Sequence, residues 1–486
     1  MITIALILQK MSQLIGTDDV APRAEQSTRA FYPENKNKEE ENIDSYDGVL
    51  FSVCDVFGRP RGRFAYRDNI QRFAQFGMET PHNTCVMGFN SEKPRTVPRY
   101  CNASSVTSRM YPDLNTLKPL SWLCRDGSKV GHVLCDLYNS RDERDLTTPR
   151  SLALTQLEKL KHLGYQLMSA FETEYTILLK GTLSGYGVQY SELVNMVRLD
   201  TDIPFYYDHI MGLLASGIPV ETQMEEWGPG QIEYSMKPLY GIESADVTHR
   251  LRYVSKSLCE RSGLEATFMT KPGEDTSNNG FHFNHSLWTN DGRNAFYIPK
   301  DGNKCSAVMR HWIAGLILHG NALTALMCPT VNCYGRLHDL FAPSANIWNY
   351  NDRNARLRIK CKSSNVYIED RLPSSACNPY LCLAGLVAAG IDGVTRRLEA
   401  PLPQIFRPIM AGDEKAKPQN PLPRSFEEAL QALEQDEVLT QALGGEFVQD
   451  YIALCQEFQL ERLKEFKDKE ASVKIQAERD LYLHTL

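Results

Sequence analysis

Two glutamates two residues apart, inside the apolar, β-prone run Phe171-Glu-Thr-Glu-Tyr175, constrain this chain more than any other feature. In a strand, residues i and i+2 share one face, so Glu172 and Glu174 stand side by side while Phe171, Thr173 and Tyr175 point the other way. Adjacent carboxylates repel, and exposure to water, protonation of one member or a bound cation must compensate. Alone, the pair reads first as a solvated strand face, since charged side chains are mostly exposed.

Three further segments carry the same residue types. Glu225-Glu-Trp-Gly-Pro-Gly-Gln-Ile-Glu233 places a Gly-Pro-Gly turn between acids, and a hairpin there would bring Glu225 and Glu233 together. Phe281-His-Phe-Asn-His-Ser-Leu287 sets His282, Asn284 and Ser286 on one face, opposite Phe281, Phe283 and His285. Ile368-Glu-Asp-Arg371 pairs Glu369 with Arg371, and Arg353-Asn-Ala-Arg-Leu-Arg358 concentrates guanidinium groups upstream. Each alone is a surface turn, a core histidine or surface charge. Together, five carboxylates and one imidazole suit magnesium or manganese, because hard cations prefer oxygen ligands and accept an occasional nitrogen. The arginines suit phosphoryl transfer, since forked cations bind carboxylate and phosphate bidentately.

The rest of the chain bounds the fold. At 486 residues with 42% apolar content there is material for a large core, and a formal charge of −7 argues against nucleic acid as the main partner. Thirteen cysteines without a C-x-x-C pair suggest neither a disulfide framework nor a zinc site, which fits a reducing, cytoplasmic location. The apolar start Met1 to Leu8 is too short for a membrane span and lacks a signal-peptide pattern, so neither targeting nor a membrane is expected. Residues 1–45 are rich in Glu, Asn and Lys and read as a disordered tail. A small β-rich domain is expected over 46–140, opening with a hairpin through Gly58-Arg-Pro-Arg-Gly62. Over 141–486, strand-like runs at 165–179, 231–236, 281–287, 355–360 and 366–372 alternate with helical stretches at 243–262 and 305–326. The pattern predicts an α+β fold, one curved antiparallel sheet backed by helices. Helix starts are marked by Pro149, by Asn378-Pro379, and by Ser425 with Glu428 as a capping box, ahead of a helical C-terminal region.

In chain order, Phe171-Glu-Thr-Glu174, Glu225 with Gly228-Pro-Gly-Gln-Ile-Glu233, Ala266-Thr-Phe-Met-Thr-Lys-Pro272, Gly280-Phe-His282, Arg353 to Arg358 and Asn378-Pro-Tyr-Leu381 resemble the glutamine synthetase family. The resemblance covers roughly residues 48–486. It implies the glutamine synthetase fold, with a β-grasp-like small domain before the catalytic domain. It also implies two metal sites for Mg2+ or Mn2+, Glu174, Glu225 and Glu233 holding one ion and Glu172, His282 and Glu369 the other. Arg336 and Arg371 resemble glutamate-carboxylate binders, Arg353 the phosphoryl-transfer arginine, and Arg358 and Ser286 ATP contacts. The family phosphorylates glutamate with ATP and lets ammonia displace the phosphate, in homo-oligomeric stacked rings, dodecamer-like, whose sites are shared between neighbouring subunits.

Cys328-Pro-Thr-Val-Asn-Cys333, Trp348-Asn-Tyr-Asn-Asp352 and Val387-Ala-Ala-Gly-Ile-Asp-Gly-Val394 resemble the lengsin branch of that family, associated with intermediate-filament proteins and regarded as lacking synthetase activity. The chain also departs from the active pattern. No Asp-Gly-Ser-Ser counterpart lies near Gly77-Met-Glu-Thr-Pro81, and Phe341 stands where a flap glutamate is expected, so both acids that handle ammonium are missing. Ser277-Asn278 replaces an Asn-Gly pair, Asn284 a nucleotide-side histidine and Tyr367 a phosphate-side arginine. Two expectations follow: a ligase using ammonia or another amine, or a weakly active or inactive filament-associated protein or chaperone.

Overall fold

Alternation along the strands decides the architecture, because each strand with one apolar face must bury it. The computed structural model describes residues 41–101, 106–187, 196–274, 276–298, 305–337, 342–362, 364–404 and 420–486. The first strands, β1 (Gly48–Cys54), β2 (Pro60–Tyr66), β3 (Met78–Pro81), β4 (Thr107–Pro112), β5 (Lys118–Pro119) and β6 (Val130–Tyr138), form a six-stranded sheet in the order β2-β1-β6-β4-β3, with β5 on β6. The expected hairpin is present as β1 and β2, but its turn falls over residues 55–59, so Pro60, Arg61 and Gly62 already lie in the strand. Most of the expected disordered tail, residues 1–40, lies outside the described residues. Its end is ordered: Ile43–Ser45 forms a 3₁₀ turn capped by Asn42, Ile43 is buried, and Glu41 accepts a hydrogen bond from Tyr46 Oη at 2.8 Å.

The second sheet has nine strands. Along β13 (Trp348–Tyr350), β14 (Leu357–Lys362), β15 (Asn365–Asp370), β12 (Phe281–Thr289), β7 (Tyr165–Leu179), β9 (Gln231–Met236) and β8 (Val220–Glu225) the pairing is continuous, and β10 (Leu239–Tyr240) and β11 (Leu264–Thr267) add to β7. All these pairs are antiparallel except β13 with β14. Phe171 stacks on Phe281 and Phe283 at centroid separations of 4.5 and 4.3 Å, filling the face turned to the helices. Burying each such ring contributes about 1.5–3 kcal/mol.

The helices behind that face follow the sequence closely. Pro149–His162 begins at its proline, and Pro379–Arg396 is capped by Asn378, whose side chain accepts from the Tyr380 and Leu381 amides. The stretch expected as one helix over 305–326 breaks at His319 into Ala307–Leu318 and Gly320–Met327. Gly315 and Gly393 let Ala307–Leu318 lie against Pro379–Arg396: a Cβ on either would stand 2.1 Å from a carbonyl oxygen of the other helix. Ser425 accepts from the Glu428 amide at 3.1 Å, and the Glu428 carboxylate takes the Arg424 amide at 2.8 Å, completing the cap one residue earlier than the standard box. Arg150 joins the two sheets, reaching Asp113 and Asp136 beside the first and Asp246 on Glu243–Arg261 behind the second.

Candidate functional site

The open face of the large sheet gathers the acids that the sequence separates. Glu172 lies directly across from His282, and Glu174 from Glu233. On the other side of β12, Asn284 lies across from Glu369, which in turn faces Arg358. Directly opposed residues share a face, so five strands contribute to one surface.

Glu225 does not join it. In the β8–β9 hairpin Glu225 lies opposite Ile232, which lies opposite Tyr175, and all three belong to the buried face. The neighbour Glu226 takes its place: its amide bonds to Gln231 O at 3.0 Å, so it shares the face of Gln231 and Glu233. The physical reason is parity, because a turn pairing 226 with 231 also pairs 224 with 233 and 225 with 232. Burial, then the charge of Glu174, pushes the Glu226 carboxyl up to about 7.

Ligand atoms of Glu172, His282 and Glu369 lie within 4.8 Å of one another, as do those of Glu174, Glu233 and His282. His282 Nδ1 is 3.2 Å from Glu172 Oε2 and 3.8 Å from Glu369 Oε1. Glu172 also accepts from Asn284 Nδ2 at 2.9 Å, while the buried Asn284 Oδ1 has no hydrogen-bond partner. Burial works to raise the Glu172 pKa, but the His282 hydrogen bond keeps it below the usual range. Glu233 has no such relief: burial, then Glu174, Glu172 and Glu226, push it up to about 9. A set of oxygen donors with one imidazole, whose own charges resist coexistence, fits a hard divalent cation.

Gly280 explains how the cluster packs so closely. Its amide donates to Glu174 Oε2 at 2.7 Å, and a Cβ there would stand 2.9 Å from Glu174 Oε1 and 3.3 Å from His282 Nε2. At the other end, Glu369 meets Arg371 Nη1 at 2.6 Å, Arg358 Nη1 at 3.0 Å and Lys360 Nζ at 3.4 Å. Burial opposes its ionisation, yet His282, Arg371 and Lys360 hold its pKa at about 2.

The other predicted residues surround this face. Arg336 is buried and donates to the Leu372 and Arg371 carbonyls, with its guanidinium 3.2 Å from the point where a Gly280 Cβ would lie. Arg353 is exposed and near enough to Glu226 to favour its ionised form. Ser286 accepts from Trp288 Nε1 at 2.9 Å on the same face of β12 as His282. Phe341, the expected flap substitution, lies outside the described residues. Glu226, Gly280 and Lys360 carry no site role in the sequence reading: Gly280 stands there only within Gly280-Phe-His282, and Glu226 and Lys360 emerge from the pairing of the strands.

A curved sheet carrying acids, one histidine and arginines on its open face and helices on the other is a glutamine synthetase fold, and the comparisons agree. Residues 146–473 match the family model described as the glutamine synthetase catalytic domain. The chain belongs to the glutamine synthetase family. It is 32% identical to lengsin of Rattus norvegicus over 423 residues, 84% of this chain and 71% of that protein. It is 33% identical to the glutamine synthetase of Thermus thermophilus over 344 residues, 68% of this chain and 77% of that enzyme. In fold it is similar to a crystal structure described as a novel glutamine synthase homolog, with a TM-score of 0.77 at 23% identity, covering 91% of this chain and 100% of that one. A GmaS/ADP complex gives a TM-score of 0.75 at 24% identity, covering 90% and 97%. Among the described residues, no helix is long and apolar enough to cross a membrane.

Proposed function

We propose that this chain is an ATP- and Mg2+- or Mn2+-dependent ligase that phosphorylates the side-chain carboxylate of glutamate, or a related acid, and joins it to ammonia or another amine. The observation that carries the reading is the convergence of Glu172, Glu174, Glu226, Glu233, His282 and Glu369 on one open sheet face beside Arg336, Arg353, Arg358 and Arg371. Glu174, Glu226 and Glu233 would hold one ion, and Glu172, His282 and Glu369 the second. Bound there, the cations supply charge neutralisation for the phosphates and the transferring group. Arg336 and Arg371 orient the acid substrate, Arg353 faces the phosphoryl group, and Arg358 and Ser286 serve the nucleotide. The amine then displaces phosphate from the acyl phosphate. Phosphate release from ATP and glutamate, assayed with Mn2+ across ammonium, methylamine, ethanolamine and polyamines, tests the reading. Release with at least one amine is expected, and silence across the panel sinks it.

The similarity to lengsin and the absent ammonium acids favour a second reading, a scaffold associated with intermediate filaments that turns over little or nothing. Co-sedimentation with vimentin-type filaments separates the two. Either form is expected to assemble as a ring, and a monomer by light scattering would contradict that expectation.

A further inference from the structure

Three cations meet one carboxylate at the β14–β15 end of the site, and they are not equivalent. Arg371 Nη1 takes Glu369 Oε1 at 2.6 Å, whereas Arg358 Nη1 and Lys360 Nζ share Oε2 at 3.0 and 3.4 Å. The arginine side chains are 7% and 9% exposed, and Arg358 is anchored again through Nη2 to Asn351 Oδ1 at 2.7 Å. The Lys360 side chain is 28% exposed and its contact is the longest of the three, an ion pair rather than an aligned hydrogen bond. An ammonium on a flexible four-carbon stem is the one of these groups free to reorient.

That freedom has a consequence once a divalent cation occupies Glu369. Such an ion would compete with Lys360 for the charge of that one carboxylate, and it would carry twice the charge of the ammonium. The displaced ammonium needs another anion within reach of its stem, on the face where Arg358 already presents a guanidinium. We propose that Lys360 is a polyphosphate-binding residue, paired with Glu369 before the nucleotide binds and with a phosphate oxygen of the nucleotide afterwards. The proposal rests on the ligase reading above and adds a residue to it. Register supplies an independent handle: Lys360 lies directly opposite Tyr367 on β15, so the two side chains share the site face. A cation placed at 367 therefore reaches the space that Lys360 serves.

Titration calorimetry of ADP with Mn2+ into the full chain tests this, using wild type, Lys360→Met, Lys360→Arg and the double variant K360M/Y367R. Lys360→Met is expected to weaken ADP binding by about tenfold or more, the range of a lost charged hydrogen bond. Lys360→Arg should stay within about threefold of wild type, and Y367R should recover most of the loss. Mn2+ affinity measured without nucleotide should not fall in any variant, which a merely structural role would not spare. Unchanged ADP affinity in Lys360→Met overturns the proposal and leaves the ligase reading standing. So does a loss that Lys360→Arg fails to restore or that Mn2+ affinity shares. Wild type that binds no ADP in the presence of Mn2+ overturns both.

Discussion

The two ends of the open face handle negative charge in opposite ways. At the β14–β15 end one carboxylate, Glu369, is shared by three cations and is held ionised far into acid. At the β7–β9 end Glu174, Glu226 and Glu233 crowd together, and Glu226 and Glu233 are pushed up to about 7 and about 9. The first end carries its own counter-charge, and the second is short of it. A divalent cation therefore gains most at the β7–β9 end, while at Glu369 it must compete with resident side chains.

The sharpest way to break this contrast is to remove its acids one at a time. Glu226→Gln and Glu233→Gln should each weaken Mn2+ binding by about a hundredfold, close to 2.7 kcal/mol. The same substitutions should raise the melting temperature of the ion-free protein by relieving repulsion. Glu225→Gln should leave Mn2+ affinity within about twofold. Calorimetry on the three variants decides whether Glu226 or Glu225 belongs to the cluster, and an equal loss in Glu225→Gln would reverse the assignment.

A smaller effect is expected from Gly280→Ala. Its Cβ meets Glu174 Oε1 at 2.9 Å and Arg336 Nη2 at 3.2 Å, so the carboxylate must shift. We expect about a tenfold loss of Mn2+ affinity, near 1.4 kcal/mol, with little change in overall melting. Unaltered affinity would show that the crowded end yields without cost.

The self-neutralised pattern recurs away from the site, which allows the mildest test. His319, between Ala307–Leu318 and Gly320–Met327, holds Asp436 at 2.7 Å through Nδ1 and Asp392 at 3.1 Å through Nε2. Burial alone would lower its pKa, but the Asp436 and Asp392 contacts outweigh it and raise the pKa above the usual value. The folded state then binds the proton more tightly, so this contribution is complete below about pH 6.5 and is lost as pH rises through the folded pKa. Denaturation midpoints should fall as pH rises across that window, and His319→Asn should flatten the slope. A slope unchanged by the substitution would assign the titration elsewhere.

Much of this organisation is legible in the residues. Strand alternation separates Glu172 and Glu174 from Phe171 and Tyr175, and His282 from His285. The latter is a core residue that accepts a hydrogen bond from Trp312 Nε1 at 3.1 Å. Helix starts at Pro149, Pro379 and Ser425 are visible because capping is local chemistry. The break at His319 is signalled locally by Gly320 alone, and only the structure shows the adjoining contacts of His319 with Asp436 and Asp392. The acid pair in Phe171-Glu-Thr-Glu-Tyr175 therefore determined by itself that one strand face would be charged and the other buried, because that follows from a period of two. Which acids meet across the sheet, that Glu226 and not Glu225 is among them, and that Lys360 reaches Glu369, only the tertiary structure decided. Those are matters of register between segments far apart in sequence, and a shift of one residue would turn every side chain to the other face.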